Sequence, residues 1–223
     1  MQLQLVLAAV VLTVTPLVTH AQVDLSSDRA QFSYAIGHQI GTGLIRDQLD
    51  IDVEVLNEAI RDAAAGTSQL SPQQQAAAVQ KYREKQQNER GQQAVKNAQI
   101  GGDYLAKNRA TEGVTETDTG LQYQVLTAVT EGVTPTLSSN VTVHYRGTLV
   151  NGEQFDSSYD RGQPATFNLG QVIPGWQEAL QLMKPGETYR LTIPPELAYG
   201  KNAPPAIGPD QVLLFDVELI SIN

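Results

Sequence analysis

One stretch constrains the fold more than any other. From Pro72 to Arg109 the chain carries no internal proline, and nine of the 27 residues from 73 to 99 are glutamine. Ser71-Pro72-Gln73-Gln74 opens it with an N-cap residue, a proline at the first helical position and a glutamine three after the cap. Ala, Gln, Lys, Glu and Arg follow, all strong helix formers. A helix over these 38 residues would be about 57 Å long at 1.5 Å per residue. Its apolar side chains are few (Val79, Tyr82, Val95, Ile100, Tyr104, Leu105) and keep no heptad, so it is not a long coiled coil. A helix polar nearly all round bridges domains through solvent, and a partly disordered linker is the alternative. Gly101-Gly102 is the expected point of bending.

Charge divides the chain around this stretch. Residues 22–71 carry 3 basic and 8 acidic groups, residues 72–112 carry 7 and 4, and residues 113–223 carry 5 and 12. The whole chain, at −9, lacks the basic face that nucleic acid requires. With no cysteine and three histidines, disulfides, thiolate zinc sites and cysteine nucleophiles are excluded, and no histidine metal site is expected. Leu3 to Val18 is apolar or threonine and uncharged, but too short to cross a bilayer, and Thr19-His20-Ala21 follows it. Residues 1–21 read as a secretory signal with Gln22 as the mature start, although no Lys or Arg precedes the apolar run; an uncleaved anchor is the alternative. No later segment is suited to stable membrane insertion.

Residues 22–71 read as two short helices. Ser27-Asp28 caps one carrying Phe32, Ile36, Ile40 and Leu44 on one face, and Asp52 caps another that Gly66 stops. Gly37, Gly41 and Gly43 follow no strand, so they are no nucleotide loop; they suit close backbone packing. So few residues bury little surface. The segment needs a partner, most simply a second copy.

After residue 113 the period changes to two. Leu121, Tyr123 and Val125 alternate with polar residues, as do Val141, Val143 and Tyr145, then Tyr189, Leu191 and Ile193, then Leu213, Phe215, Val217 and Leu219. Asn151-Gly152 and Pro185-Gly186 mark turns. One short helix fits near Trp176 to Met183. The pattern predicts an α+β domain, an antiparallel sheet wrapped on one helix. The usual catalytic sets are missing. His144 alternates away from the buried residues of its strand and reads as exposed, and Asn140-Val141-Thr142 matches a glycosylation sequon.

Val143-His144-Tyr145-Arg146-Gly147-Thr148-Leu149, Asn151-Gly152, Phe155-Asp156-Ser157-Ser158, Val172-Ile173-Pro174-Gly175-Trp176, Leu191 to Gly200 and Leu214 to Leu219 occur in order over about 110 residues. In this the chain resembles the FKBP family of peptidyl-prolyl cis-trans isomerases. Gly120-Leu121-Gln122-Tyr123, the long helix and the N-terminal segment resemble its secreted bacterial Mip-like and FkpA-like subgroup. The resemblance implies an FKBP-like domain at 113–223, a connecting helix at 72–112 and an all-α dimerisation segment at 22–71. It further implies a periplasmic homodimer with no cofactor, acting on unfolded or proline-containing polypeptides, with macrolide inhibitors as candidate ligands.

The resemblance also implies the site. Trp176 is the floor of a pocket, Tyr145, Phe155, Phe167, Val172, Ile173 and Phe215 its walls, and Tyr199 and Ile207 its mouth. Tyr199 donates to the bound chain, and Asp156 faces the reacting carbonyl, braced by Arg161 and Tyr145. Two departures stand out: Ala165 replaces a frequent aromatic, and the loop Lys201–Asp210 lacks the histidine of some members. Three functions remain open: an isomerase of exported proteins with chaperone activity, a holdase in which isomerisation is incidental, and a structural factor on a silent fold.

Overall fold

The structure, a computed structural model, describes residues 23–223. The expected export signal at 1–21 and the start at Gln22 lie outside these residues. The chain divides into two compact units, the first ending at Asp52 and the second running from Val53 to Asn223. Among the described residues, no helix is long and apolar enough to cross a membrane.

The first unit holds helix α1 (Asp28–Arg46). Ser27 caps it from an extended backbone, its hydroxyl accepting from the Ala30 amide at 3.2 Å. No residue of α1 is buried; Phe32 is 69% exposed, with Ile36 and Ile40 also uncovered. A β-carbon built on Gly37, Gly41 or Gly43 meets nothing within 4 Å, so the close backbone packing expected of them is not seen within this unit.

The second unit begins with α2 (Val53–Ala64) and α3 (Pro72–Arg109). The reciprocal capping box forms as the sequence predicts: Ser71 accepts from the Gln74 amide, and the Gln74 side chain accepts from the Ser71 amide at 2.8 Å. The helix runs unbroken through Gly101-Gly102, and Lys107 and Arg109 in its last turn complement its dipole. Its first half is exposed apart from Tyr82, which is partly covered. Its second half is not the solvent-bridging rod expected: Ala94, Asn97, Gly101, Tyr104, Leu105 and Asn108 lie at helical spacing and are partly or fully covered by the β-domain.

Seven strands follow: β1 (Val114–Glu116), β2 (Gln122–Thr127), β3 (Asn140–Leu149), β4 (Gln154–Ser157), β5 (Ala165–Asn168), β6 (Thr188–Ile193) and β7 (Leu213–Ile222), with α4 (Pro174–Leu180) between β5 and β6. All pairings are antiparallel, in the order β1-β2-β6-β7-β3-β4, and β5 shares the outer edge of β3 with β4. One face carries the core, in which Trp176, Ala179 and Leu180 of α4 meet Val143, Leu191, Ile193, Phe215 and Val217.

The hairpin turn marked by Asn151-Gly152 forms between β3 and β4: Gly152 takes positive φ (+87°), and Leu149 bonds Gly152 and Glu153 around a three-residue loop. One local expectation is corrected. In β2 the alternation fails: Gln122 is fully buried and Val125 is 42% exposed. Gln122 is buried because α3 covers the outer face there. Gln122 donates to the Leu105 carbonyl at 3.0 Å and accepts from the Asn108 amide at 2.8 Å, and Asn108 also reaches Thr192.

Gly101 shows how tight this seam is. A β-carbon there would stand 2.7 Å from Cγ2 of Val212, whereas one on Gly102 meets nothing within 4 Å. Gly102→Ala should therefore raise stability by up to about 1 kcal/mol, the helix-propensity gain, and Gly101→Ala should forfeit that gain and lower stability. Urea titration of both variants, followed by the fluorescence of Trp176, checks the opposite signs.

Candidate functional site

The site lies where β3, β4, β5, β7 and α4 converge. Along β3 the inward residues are Val141, Val143, Tyr145, Gly147 and Leu149, all buried. Period-two alternation thus puts the Tyr145 ring on the core face. The Ser158 hydroxyl fixes its backbone, accepting from the Tyr145 amide at 2.8 Å and donating to the Tyr145 carbonyl at 3.2 Å. Gly147 stands opposite Phe215 on β7 and Asp156 on β4. A β-carbon there would lie 2.7 Å from both Phe155 and Phe215, so only glycine lets these rings meet edge to face at 5.5 Å. A register shift at Gly147/Thr148 interrupts the regular β3–β4 pairing beside Phe155 and Asp156, which both line the cavity.

Pro174 occupies the first turn of α4 and Trp176 follows, 4% exposed. Three rings stand nearly perpendicular to its indole: Tyr145 and Phe215 at 5.2 Å and Phe167 at 5.8 Å. Edge-to-face contact is the favoured aromatic geometry. Together they enclose a cavity of about 300 Å³ lined by Tyr145, Phe155, Asp156, Phe167, Gln171, Val172, Ile173, Trp176, Tyr199 and Phe215. Nine of the eleven residues named from the sequence are among these or, as Tyr199 does, reach it from the mouth. Arg161 stands behind Asp156 rather than in the lining. Ile207 is 8% exposed and belongs to the hydrophobic core instead of the lining. Gln171 was missed, because a lone glutamine before Val172-Ile173 has no sequence signature.

The polar rim is a closed triangle. Tyr145 donates its hydroxyl to Oδ2 of Asp156 at 2.5 Å, Arg161 Nη1 donates to Oδ1 at 2.6 Å, and Arg161 Nη2 donates to the Tyr145 hydroxyl at 2.7 Å. The guanidinium also lies 5.5 Å from the centre of the Tyr145 ring. Partial burial pushes the Asp156 carboxyl up, but the Tyr145 and Arg161 hydrogen bonds outweigh it and hold the group below its ordinary value. Burial first, and then the bond to Asp156, raises the Tyr145 phenol. Burial, reinforced by the Asp156 charge, likewise raises Tyr199; its phenol, like any tyrosine's, is protonated at neutral pH. Tyr199 is 42% exposed at the mouth.

His144 departs from the exposed reading. It is half-buried, stacked on Tyr159 at 4.6 Å, with Nδ1 2.9 Å from the Ser158 hydroxyl. Alternation gave its face but not the loop folded over that face.

Comparison with known proteins identifies the family. Residues 131–220 match the family model described as FKBP-type peptidyl-prolyl cis-trans isomerase, and residues 29–125 match that of the domain amino terminal to it. The chain is 41% identical over 211 residues to the peptidyl-prolyl cis-trans isomerase Mip of Coxiella burnetii, covering 92% of this chain and 91% of that one. It is 36% identical over 205 residues to the outer membrane protein MIP of Legionella longbeachae, covering 89% and 88%. The crystal structure of FkpA from Escherichia coli superposes with a TM-score of 0.62 at 37% identity, covering 90% of this chain and 99% of that one. The aromatic cavity, its carboxylate rim and the N-terminal helices thus sit in a chain that belongs to the FKBP-type peptidyl-prolyl cis-trans isomerases.

Proposed function

We propose that this isomerase turns X–Pro bonds of exported polypeptides as they fold, in the cavity floored by Trp176, and that residues 22–71 pair two copies and add chaperone activity. The observation that carries the catalytic part is the juxtaposition of an aromatic cup with one carboxylate, hydrogen-bonded through both oxygens, at its rim. A planar X–Pro amide resists rotation by about 20 kcal/mol because of its resonance. Twisting breaks that resonance and makes the amide less dipolar. An apolar pocket therefore costs the planar state more hydration than the twisted state. No bond is made, so no nucleophile is required. A rate gain of about 10³–10⁵ needs only about 4–7 kcal/mol. The rings hold the proline, Tyr199 donates to the bound chain, and Asp156 orients and polarises. The Arg161 and Tyr145 bonds keep Asp156 a carboxylate rather than a proton carrier.

Placement in the periplasm draws on the apolar leader expected at 1–21 and on the name of the Legionella relative, an outer membrane protein. Pairing draws on α1, whose Phe32, Ile36 and Ile40 stripe is exposed within its own unit. The same stripe favours a second reading, a holdase in which turnover is incidental. Two copies would raise the effective concentration of pockets along one client. Macrolide inhibitors are candidate occupants of the same cavity.

Asp156→Asn should lower kcat/KM for a short X–Pro peptide by about tenfold, a loss of about 1.4 kcal/mol. Complete loss in a folded protein would overturn the orienting role. Acid provides a second check. The folded Asp156 lies below its unfolded value of about 4, so its contribution to stability is intact above that value. It is lost as pH falls through the lower folded value. Turnover between pH 7 and 5 should be flat, and stability in wild type should fall more steeply below pH 4 than in Asp156→Asn. Finally, Phe32→Ser with Ile40→Asp should yield monomers by sedimentation, leave peptide turnover unchanged and weaken suppression of client aggregation. Unchanged suppression would separate the chaperone role from α1.

A further inference from the structure

The seam between α3 and the β-domain continues past the core to the mouth of the pocket. The segment after Tyr199 is a loop closed on itself. Tyr199 caps a short turn, Gly200–Asn202, and accepts from the Asn202 amide at 3.1 Å. The Pro204 carbonyl accepts from Ile207 and Gly208, and the Asp210 amide reaches back to the Gly200 carbonyl at 2.9 Å. Asp210, at φ +50°, takes the left-handed backbone that aspartate enters more readily than most non-glycine residues, and so closes the loop.

Helix α3 holds this loop at both ends. Arg90 donates through Nη2 to the carbonyls of Lys201 at 3.0 Å and Ala203 at 2.7 Å. One stretch further along the same face, Asn97, 4% exposed, donates to the Pro209 carbonyl at 2.7 Å, and Gln93 donates to its Oδ1 at 2.7 Å, fixing the amide's orientation. Gly101 then admits Val212. Positions 90, 97 and 101 thus meet the loop in chain order, at 201–203, 209 and 212, and tie both of its ends to one rigid element.

We propose that Arg90 and Asn97 are positioning residues of the isomerase: α3 holds the 200–210 loop, and through the turn that Tyr199 caps it sets the Tyr199 ring at the pocket mouth. The proposal rests on the reading of Tyr199 as the donor to the bound chain. It assigns the second half of the long helix to the active site as well as to the spacing of domains. Arg90 bonds neutral carbonyls and can be replaced in part by lysine, a single point donor.

The test uses the full mature chain. Hydrogen exchange is followed at the amides of Asn202, Ile207, Gly208 and Asp210, and KM and kcat are measured on a short X–Pro peptide. Arg90→Ala should speed exchange at these four amides and raise KM about three- to tenfold with kcat nearly kept, the mark of lost uniform binding. Arg90→Lys should recover part of both effects. Asn97→Ala should do the same at the Pro209 end. In a Tyr199→Ala background the Arg90→Ala effect on KM should largely vanish, because coupled residues are not additive. Unchanged exchange in Arg90→Ala overturns the hold of α3 on the loop. Faster exchange with an effect on KM that adds in full to that of Tyr199→Ala overturns the route through Tyr199. If Tyr199→Ala alone leaves KM unaltered, the donor reading of Tyr199 fails, whereas the exchange data still decide the hold of α3.

Discussion

Everything at the pocket depends on how the Trp176 indole is surrounded. Tyr145, Phe167 and Phe215 come from three strands and turn their rings nearly perpendicular to it. Phe215 also packs against Phe155 where a backbone substituent would collide with both rings, and Gly147 leaves that space. The strands in turn keep their order because β3 pairs with β7 along almost its whole length and lends its other edge to both β4 and β5. The residues between those two short strands carry Arg161 to the rim. Sheet topology, ring packing and the charged triangle are one construction.

The parts legible in the sequence were those written in periodicity and in motifs. Alternation through Val141, Val143 and Tyr145 and through Leu213, Phe215 and Val217 places the buried faces of β3 and β7 correctly. Ser71-Pro72-Gln73-Gln74 marks the start of α3 to the residue. The walls of the cavity came from the family resemblance and not from pattern alone, since each aromatic, taken singly, reads as core. Ile207 indeed is core.

What stayed hidden was written in polar and small residues. Asn97, Gly101 and Asn108 carry no apolar signal, yet they define the face by which α3 meets the domain. Gln122 looked like an outward strand residue. It is buried because a helix from before the domain covers it and satisfies its amide on both sides. Burial by hydrogen bonding leaves no hydrophobic period to read. His144 illustrates the same limit, since the loop bearing Tyr159 that covers it belongs to a different part of the chain.

The triangle of Tyr145, Asp156 and Arg161 has one more implication. Each polar head is occupied by the other two: the phenol gives its hydrogen to the carboxylate, and the guanidinium spans both. On the desolvation reading, nothing at this rim is in transit during turnover. A catalyst arranged in this way gives deuterium no step to retard, so its pace in heavy water should differ from that in ordinary water only by the change in the solvent itself.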